Sequence, residues 1–150
     1  MTKSQGKAAM EPAARQWIET VLAGSPVAKH LGIRVAEAAK DRVVFALPFS
    51  VGNVTLADIV HGGVIATLID IAGAAASGSG IDGTATGGAT ASLSIAYLAP
   101  AKGCDLTAEA VIVQRGRSQT VSDVVVRDDA GTMVAKGLVV SRIFSARGGT

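Results

Sequence analysis

Aromatic side chains are scarce in this chain, at 3% of the sequence, with one Trp, one Tyr and three Phe. A core built on large rings is therefore excluded, and small and aliphatic side chains must fill it. Charge is thin too, at 17% Asp, Glu, Lys and Arg, with a formal balance of +2. The basic residues are scattered, with no run and no interleaved aromatics, so the footprint of a nucleic-acid binder is missing. There is a single cysteine, Cys104. It cannot close an intrachain disulfide, which suits a reducing compartment. With no His or second Cys near it in sequence it suggests no zinc site, and it reads as a small buried residue in a strand. No apolar run approaches the roughly 20 residues of a membrane-spanning helix. The opening MTKSQGKAAMEPAARQW lacks the apolar segment of a secretory leader. Neither nucleic acid nor membrane is expected as a partner, and the cytoplasm is the expected compartment.

What is present suits one folded domain. The 150 residues are 49% hydrophobic, which argues against disorder. The 18 glycines and many alanines predict close backbone packing and burial against a partner subunit.

Along the chain, residues 1–10 read as a loose tail. Glu11-Pro12 opens a helical pattern carrying Trp17, Ile18, Val21 and Leu22, and Gly24-Ser25-Pro26 stops it. An N-terminal tail and helix (1–26) thus precedes the main domain (27–146). Val27 to Leu31 adds a short turn. Strands are predicted over 33–39 and 42–48 around Lys40-Asp41, then a loop over 49–60. A long helix follows over 64–77, then a glycine-rich loop in SGSGIDGTATGG. Strands are predicted over 88–98, 104–115, 118–128 and 132–144, punctuated by glycine and proline. One helix amid antiparallel strands indicates an α+β fold.

The central helix carries two apolar stripes, Val64/Leu68/Ile71/Ala75 and Ile65/Ile69/Ala72/Ala76. Its remaining face holds Ala66, Asp70, Gly73, Ala74 and Ser77, all small except the aspartate. Such a helix is buried nearly all round. A curved sheet would cover the stripes, leaving the small face for a second copy of the helix. A carboxylate there is costly unless paired. Two readings stand for Asp70. It faces water or bonds a hydroxyl such as Thr67, or it is a general base or nucleophile tuned by burial.

His61-Gly62-Gly63 also has two readings. The glycines punctuate a helix start that His61 caps, or the free first-turn amides bind an oxyanion or a thioester carbonyl. Gly62 or Gly63 would let a substrate approach the backbone. Gly62 and Asp70 are eight residues apart, so a helix separates them by about 12 Å. That is too far for both to touch one reacting carbon. Joint action requires two antiparallel helices from two chains.

The segments HGGVIATLIDIAGAAAS, ATASLSIAYLAPAKG and VQRGRSQTVSDVVVRDDAGTMVAKG resemble hotdog-fold acyl-CoA thioesterases of the phenylacetate-pathway (PaaI-like) type, over roughly residues 28–144. The resemblance implies an antiparallel sheet wrapped around a long central helix. It implies hydrolysis of acyl-CoA to free acid and CoA, with no metal and no other cofactor. The catalytic carboxylate falls on Asp70 and the carbonyl-polarising amide on Gly62. His61 shapes that turn and Thr90 is a hydroxyl that orients water. A strand threonine chosen for β propensity is the other reading of Thr90. Asn53, Thr55 and Gly63 fall beside the substrate. Thr55 and Asp58 stand where family members often have Asn and Gly. Arg115 and Arg117, with Lys136 and Arg142, are candidates for the phosphates of CoA. The expected assembly is a homo-oligomer, a dimer with shared sites, with a tetramer as the full state. Two alternatives remain: a non-catalytic acyl-CoA-binding module, and a hydratase using Asp58 with His61. A nucleophile elbow, a P-loop and a dinucleotide fingerprint are all absent.

Overall fold

The computed structural model describes residues 8–146. Positions 1–7 of the expected tail lie outside the described residues. Helix α1 (Pro12–Gln16) has proline in its first turn and runs on into a π-helical turn, Trp17–Leu22. Helix α2 (Pro26–Leu31) is capped at both ends. The Ser25 hydroxyl accepts the Ala28 N–H at 3.3 Å, and Gly32 takes the left-handed conformation, φ 81°, that closes the last turn. Ala14 and Ile18 are fully buried, so the N-terminal helix joins the core.

Eight strands form, and all but β3 and β4 correspond to expected ones: β1 (Arg34–Ala39), β2 (Arg42–Leu47), β3 (Val54–Leu56), β4 (Ile59–Val60), β5 (Ala85–Tyr97), β6 (Leu106–Arg115), β7 (Gln119–Asp128) and β8 (Met133–Ser145). Six of them form one antiparallel sheet in the order β1-β2-β6-β7-β8-β5. Helix α3 (Gly62–Gly78) packs on it, touching β2, β5, β6, β7 and β8. Along β6, Leu106, Ala108 and Ala110 are buried against the helix while Thr107, Glu109 and Val111 face out, the alternation expected of a half-buried strand. No helix among the described residues is long and apolar enough to cross a membrane.

Three departures from the sequence expectation stand out beside shifts of a residue or two at other element ends, one of which starts β6 at Leu106 and leaves Cys104 just before the strand it was expected to join. The expected loop 49–60 holds a 3-10 turn (Val51–Asn53) and the β3/β4 ribbon, which turns through Ala57 at φ 51°. Pairing too short to leave a periodic pattern formed there. Helix α3 starts at Gly62, because a cap admits glycines into the first turn. Strand β5 starts at Ala85. Gly87, which looked like a loop residue, pairs with Phe144, next to the Gly88–Ile143 pair.

The helix sits unusually close to β8. A Cβ on Gly73 would lie 2.6 Å from Val139 side-chain atoms, and one on Gly137 would lie 2.6 Å from Ile69 Cγ2. Each surface thus offers a glycine to the other's branched side chain. This corrects the expectation for the small-residue face. Gly73 is buried on the sheet, and Ser77 is buried with its hydroxyl accepting from Thr120 at 2.7 Å. Only Ala66, Asp70 and Ala74 of that face remain half-open. The sheet reaches further around the C-terminal half of the helix than the helical pattern could reveal.

Gly73→Ala makes this contact testable. Helix propensity alone would stabilise the variant by about 1 kcal/mol. Overpacking against Val139 costs about 1–3 kcal/mol. Urea unfolding is expected to show net destabilisation, partly relieved when Val139→Ala is added.

Candidate active site

Helix α3 begins with His61, whose Nδ1 accepts the Gly63 N–H at 2.8 Å. A Cβ on Gly63 would lie 2.9 Å from the same imidazole, so residue 63 must be glycine for the cap to close. The His61 carbonyl accepts from Val64 and Ile65. The remaining first-turn donor, the Gly62 N–H, has no acceptor among the described residues. It stands at the positive end of the helix dipole. Tyr97 closes over this turn, its hydroxyl donating to the Gly62 carbonyl at 2.7 Å. Gly62, Ile65, Tyr97 and Pro100 line a shallow cleft here.

Asp70 lies two turns further along. Its Oδ1 accepts the Thr90 hydroxyl at 2.6 Å. Thr67, the other hydroxyl considered, instead donates to the Gly63 carbonyl at 2.9 Å. A β-bulge explains why Thr90 reaches the helix. The β5–β8 register slips between Thr90 and Ser92, so Thr90 pairs with Ser141 while Ser92 pairs with Val140. The extra residue, Ala91, puts Thr90 on the same face as Ile95 and Tyr97.

Asp70, Thr90 and Ser141 belong to a second cleft of about 170 Å³, walled by Trp17, Leu22, Ile71 and Ile143, with Arg142 beside them. Asp70 and Gly62 therefore occupy different clefts in one chain, as their spacing requires. Ser141 was missed by sequence reasoning. It is 3% exposed, and its hydroxyl has no partner among the described residues. Such a group costs about 1–3 kcal/mol when left dry. The signal available in the sequence was a serine in phase with Ala135, Gly137 and Val139 on the inward face of β8.

The other candidates separate by their surroundings. Asn53 is buried; its side-chain amide donates to the Leu31 carbonyl at 3.0 Å and its backbone carbonyl accepts from His61 N–H at 2.8 Å. It thereby ties the helix start to α2. Thr55 is exposed on β3. Asp58 packs beside Gly103, and no hydrogen bond joins it to His61 among the described residues. Arg115 is fully engaged. It donates to Asp41 Oδ1 at 2.8 and 3.0 Å and to the Ser77 and Ala76 carbonyls at 2.9 and 3.0 Å. A cation there satisfies the last carbonyls of α3 and pins the positive-φ turn residue Asp41. Lys136 pairs with Asp123 at 3.1 Å. Arg117 is exposed at the hairpin tip. Cys104 is buried, and burial pushes its thiol pKa up. Among the described residues no group of three or more His, Cys, Asp or Glu could hold a metal ion.

Comparison with known proteins places this geometry in context. The thioesterase superfamily profile matches residues 57–135. A Halobacterium salinarum protein bearing the name "putative esterase" is 42% identical over 78 residues, 51% of this chain and 51% of that protein. The chain thus aligns with about half the length of this curated relative. A thioesterase family protein from Silicibacter pomeroyi superposes with a TM-score of 0.82 at 23% identity, covering 89% of this chain and 99% of that one. The PaaI protein of the E. coli phenylacetic acid degradation operon superposes with a TM-score of 0.77 at 24% identity, covering 92% and 96%. At these identities the structural likeness is one of fold, and that fold is the hotdog.

The two hairpin arginines give a test of these local assignments. Arg115→Ala is expected to lower unfolding stability by about 1–3 kcal/mol, since it removes charge-assisted bonds to partly buried partners. Arg117→Ala is expected to stay within about 0.5 kcal/mol of the parent. Equal effects in urea denaturation would contradict the clamp.

Proposed function

The chain belongs to the thioesterase superfamily, and on that footing we propose that it hydrolyses acyl-CoA thioesters to free acid and CoA. Thioester hydrolysis needs a base for water, a donor for the oxyanion and a slot for the acyl group. Asp70 is the base, and it carries the proposal. Thr90 holds its Oδ1, while its Oδ2 has no partner among the described residues and the carboxylate lines an apolar cleft. The Gly62 N–H is the oxyanion donor, reaching the carbonyl oxygen that gains charge as water adds.

The two act across a dimer. Strand β5 is an edge of the sheet and runs 13 residues without a charge or a proline. An edge of that kind is normally covered. A second copy of β5 covers it when the two strands pair antiparallel with Thr90 opposite Tyr97 of the partner. Thr90 bonds Asp70 and Tyr97 bonds Gly62. That register therefore carries Asp70 of one protomer to the helix start of the other. Two equivalent sites result.

The slot beside Asp70 measures about 170 Å³. A protein cavity of about 150 Å³ accommodates benzene. That room suits a single ring or a short to medium acyl chain. For the phosphates of CoA, Arg117 and Arg142 are the available cations, since Arg115 and Lys136 are already paired.

Release of free CoA thiol from a panel of acyl-CoAs tests the reading. Single-ring and short-chain acyl-CoAs should turn over without added metal, and long-chain ones more slowly. Asp70→Asn should melt normally and lose about 10²- to 10⁴-fold in kcat. A folded Asp70→Asn protein with wild-type kcat would remove Asp70 from the reaction. A panel with no turnover above buffer would remove the reaction itself.

A further inference from the structure

Across the sheet beneath α3 runs a row of three hydroxyls. Thr90 of β5, Ser141 of β8 and Thr120 of β7 are direct neighbours in register, since Ser141 pairs with Thr90 on one side and Thr120 on the other. The outer two are spoken for by the helix. Thr90 donates to Asp70 at 2.6 Å, and Thr120 donates to Ser77 Oγ at 2.7 Å. The middle one faces neither. Ala74 follows Asp70 by four positions and precedes Ser77 by three, so it shares their side of the helix. Its single methyl makes no bond to the hydroxyl. Ser141 is 3% exposed, unpartnered among the described residues, and in the lining of the Asp70 cleft.

Directly opposed strand residues hold their Cβ atoms about 4.5–5.5 Å apart. Ser141 is therefore the immediate cross-strand neighbour of the threonine that grips the carboxylate, and both residues line the Asp70 cleft. Thr90 has committed its one proton to Oδ1, so towards a water it can only accept, and a donor to that water must come from another group.

We propose that Ser141 positions the nucleophilic water for Asp70, as the second anchor of that water. This rests on Asp70 acting as the base. The water donates one hydrogen to Asp70 Oδ2 and accepts the Ser141 hydroxyl proton on one lone pair. Its other lone pair points at the thioester carbonyl carbon. As the new C–O bond forms, the donated proton passes to Asp70. The tetrahedral intermediate then breaks its C–S bond, and the proton returns from Asp70 to the departing CoA sulfur.

The test is steady-state kinetics on the full-length dimer with its best acyl-CoA, using Ser141→Ala, Ser141→Thr, Asp70→Asn and the Ser141→Ala/Asp70→Asn double variant. Ser141→Ala should lose about 10- to 100-fold in kcat, the size expected for a misplaced reactant, with KM nearly unchanged. Its melting temperature should hold or rise, because the hydroxyl removed has no bond in the fold. Ser141→Thr should recover part of the lost kcat. In the double variant the serine change should add nothing, because groups acting as a unit are not additive. Unchanged kcat in Ser141→Ala would overturn the proposal. So would a raised KM at constant kcat, which marks an acyl-binding role, or a lowered melting temperature, which marks a structural one. Failure of the parent reading looks different: Asp70→Asn itself would keep its kcat.

Discussion

The contact between α3 and β8 sets the rest of the molecule. Gly73 receives Val139 and Gly137 receives Ile69, so helix and sheet meet at glycine distance. A methyl on either glycine would push them apart. At this spacing a threonine side chain on β5 spans the gap to Asp70, and a serine on β7 reaches the Gly73 carbonyl. A helix held further off would lose these bonds and strand its carboxylate. Phe45 is the sole aromatic side chain that is fully buried among the described residues.

The second constraint is the pitch of the helix. Eight residues of α3 separate the amide of Gly62 from Asp70, about 12 Å. Each end is elaborated separately. The start has its His61 cap, Tyr97 and the Asn53 tie to α2, while the middle has Thr90, Ser141 and the Trp17 wall. The C-terminal end carries Arg115, which satisfies the last carbonyls and locks the β1–β2 turn at Asp41. Together these fix the helix along its axis. Fixation matters to catalysis because an ångström of misplacement can cost about a hundredfold in rate.

Much of this was legible in the sequence. The buried character of α3, its aspartate, the glycine pair and the strand order follow from periodicity and turn chemistry. Thr90 was placed by resemblance, and its reach to Asp70 depends on a bulge at Ala91 that no pattern announces. Ser141 hid for a simpler reason, since one serine in an inward strand phase looks like an ordinary substitution for alanine. Arg115 looked like a free hairpin cation. Its partners come from the β1–β2 turn and the end of α3, far away in sequence, and such pairings become visible only once the sheet is assembled. Of the small face of the helix, Ala66, Asp70 and Ala74 stay half-open while Gly73 and Ser77 are buried, because sheet curvature decides how far a helix is wrapped.

The central claim is that the base and the oxyanion donor come from different protomers. Mixed dimers of Asp70→Asn and Gly62→Pro chains test it most directly. Proline removes the Gly62 N–H at a helix position where its ring is tolerated. Each homodimer is damaged at both sites. In the mixed dimer one site carries both lesions and the other carries neither. With the mixed species isolated through a tag on each chain, the account predicts thioesterase activity far above both parents. Activity no higher than the parents' in the isolated mixed dimer would place both groups in one chain and contradict the account.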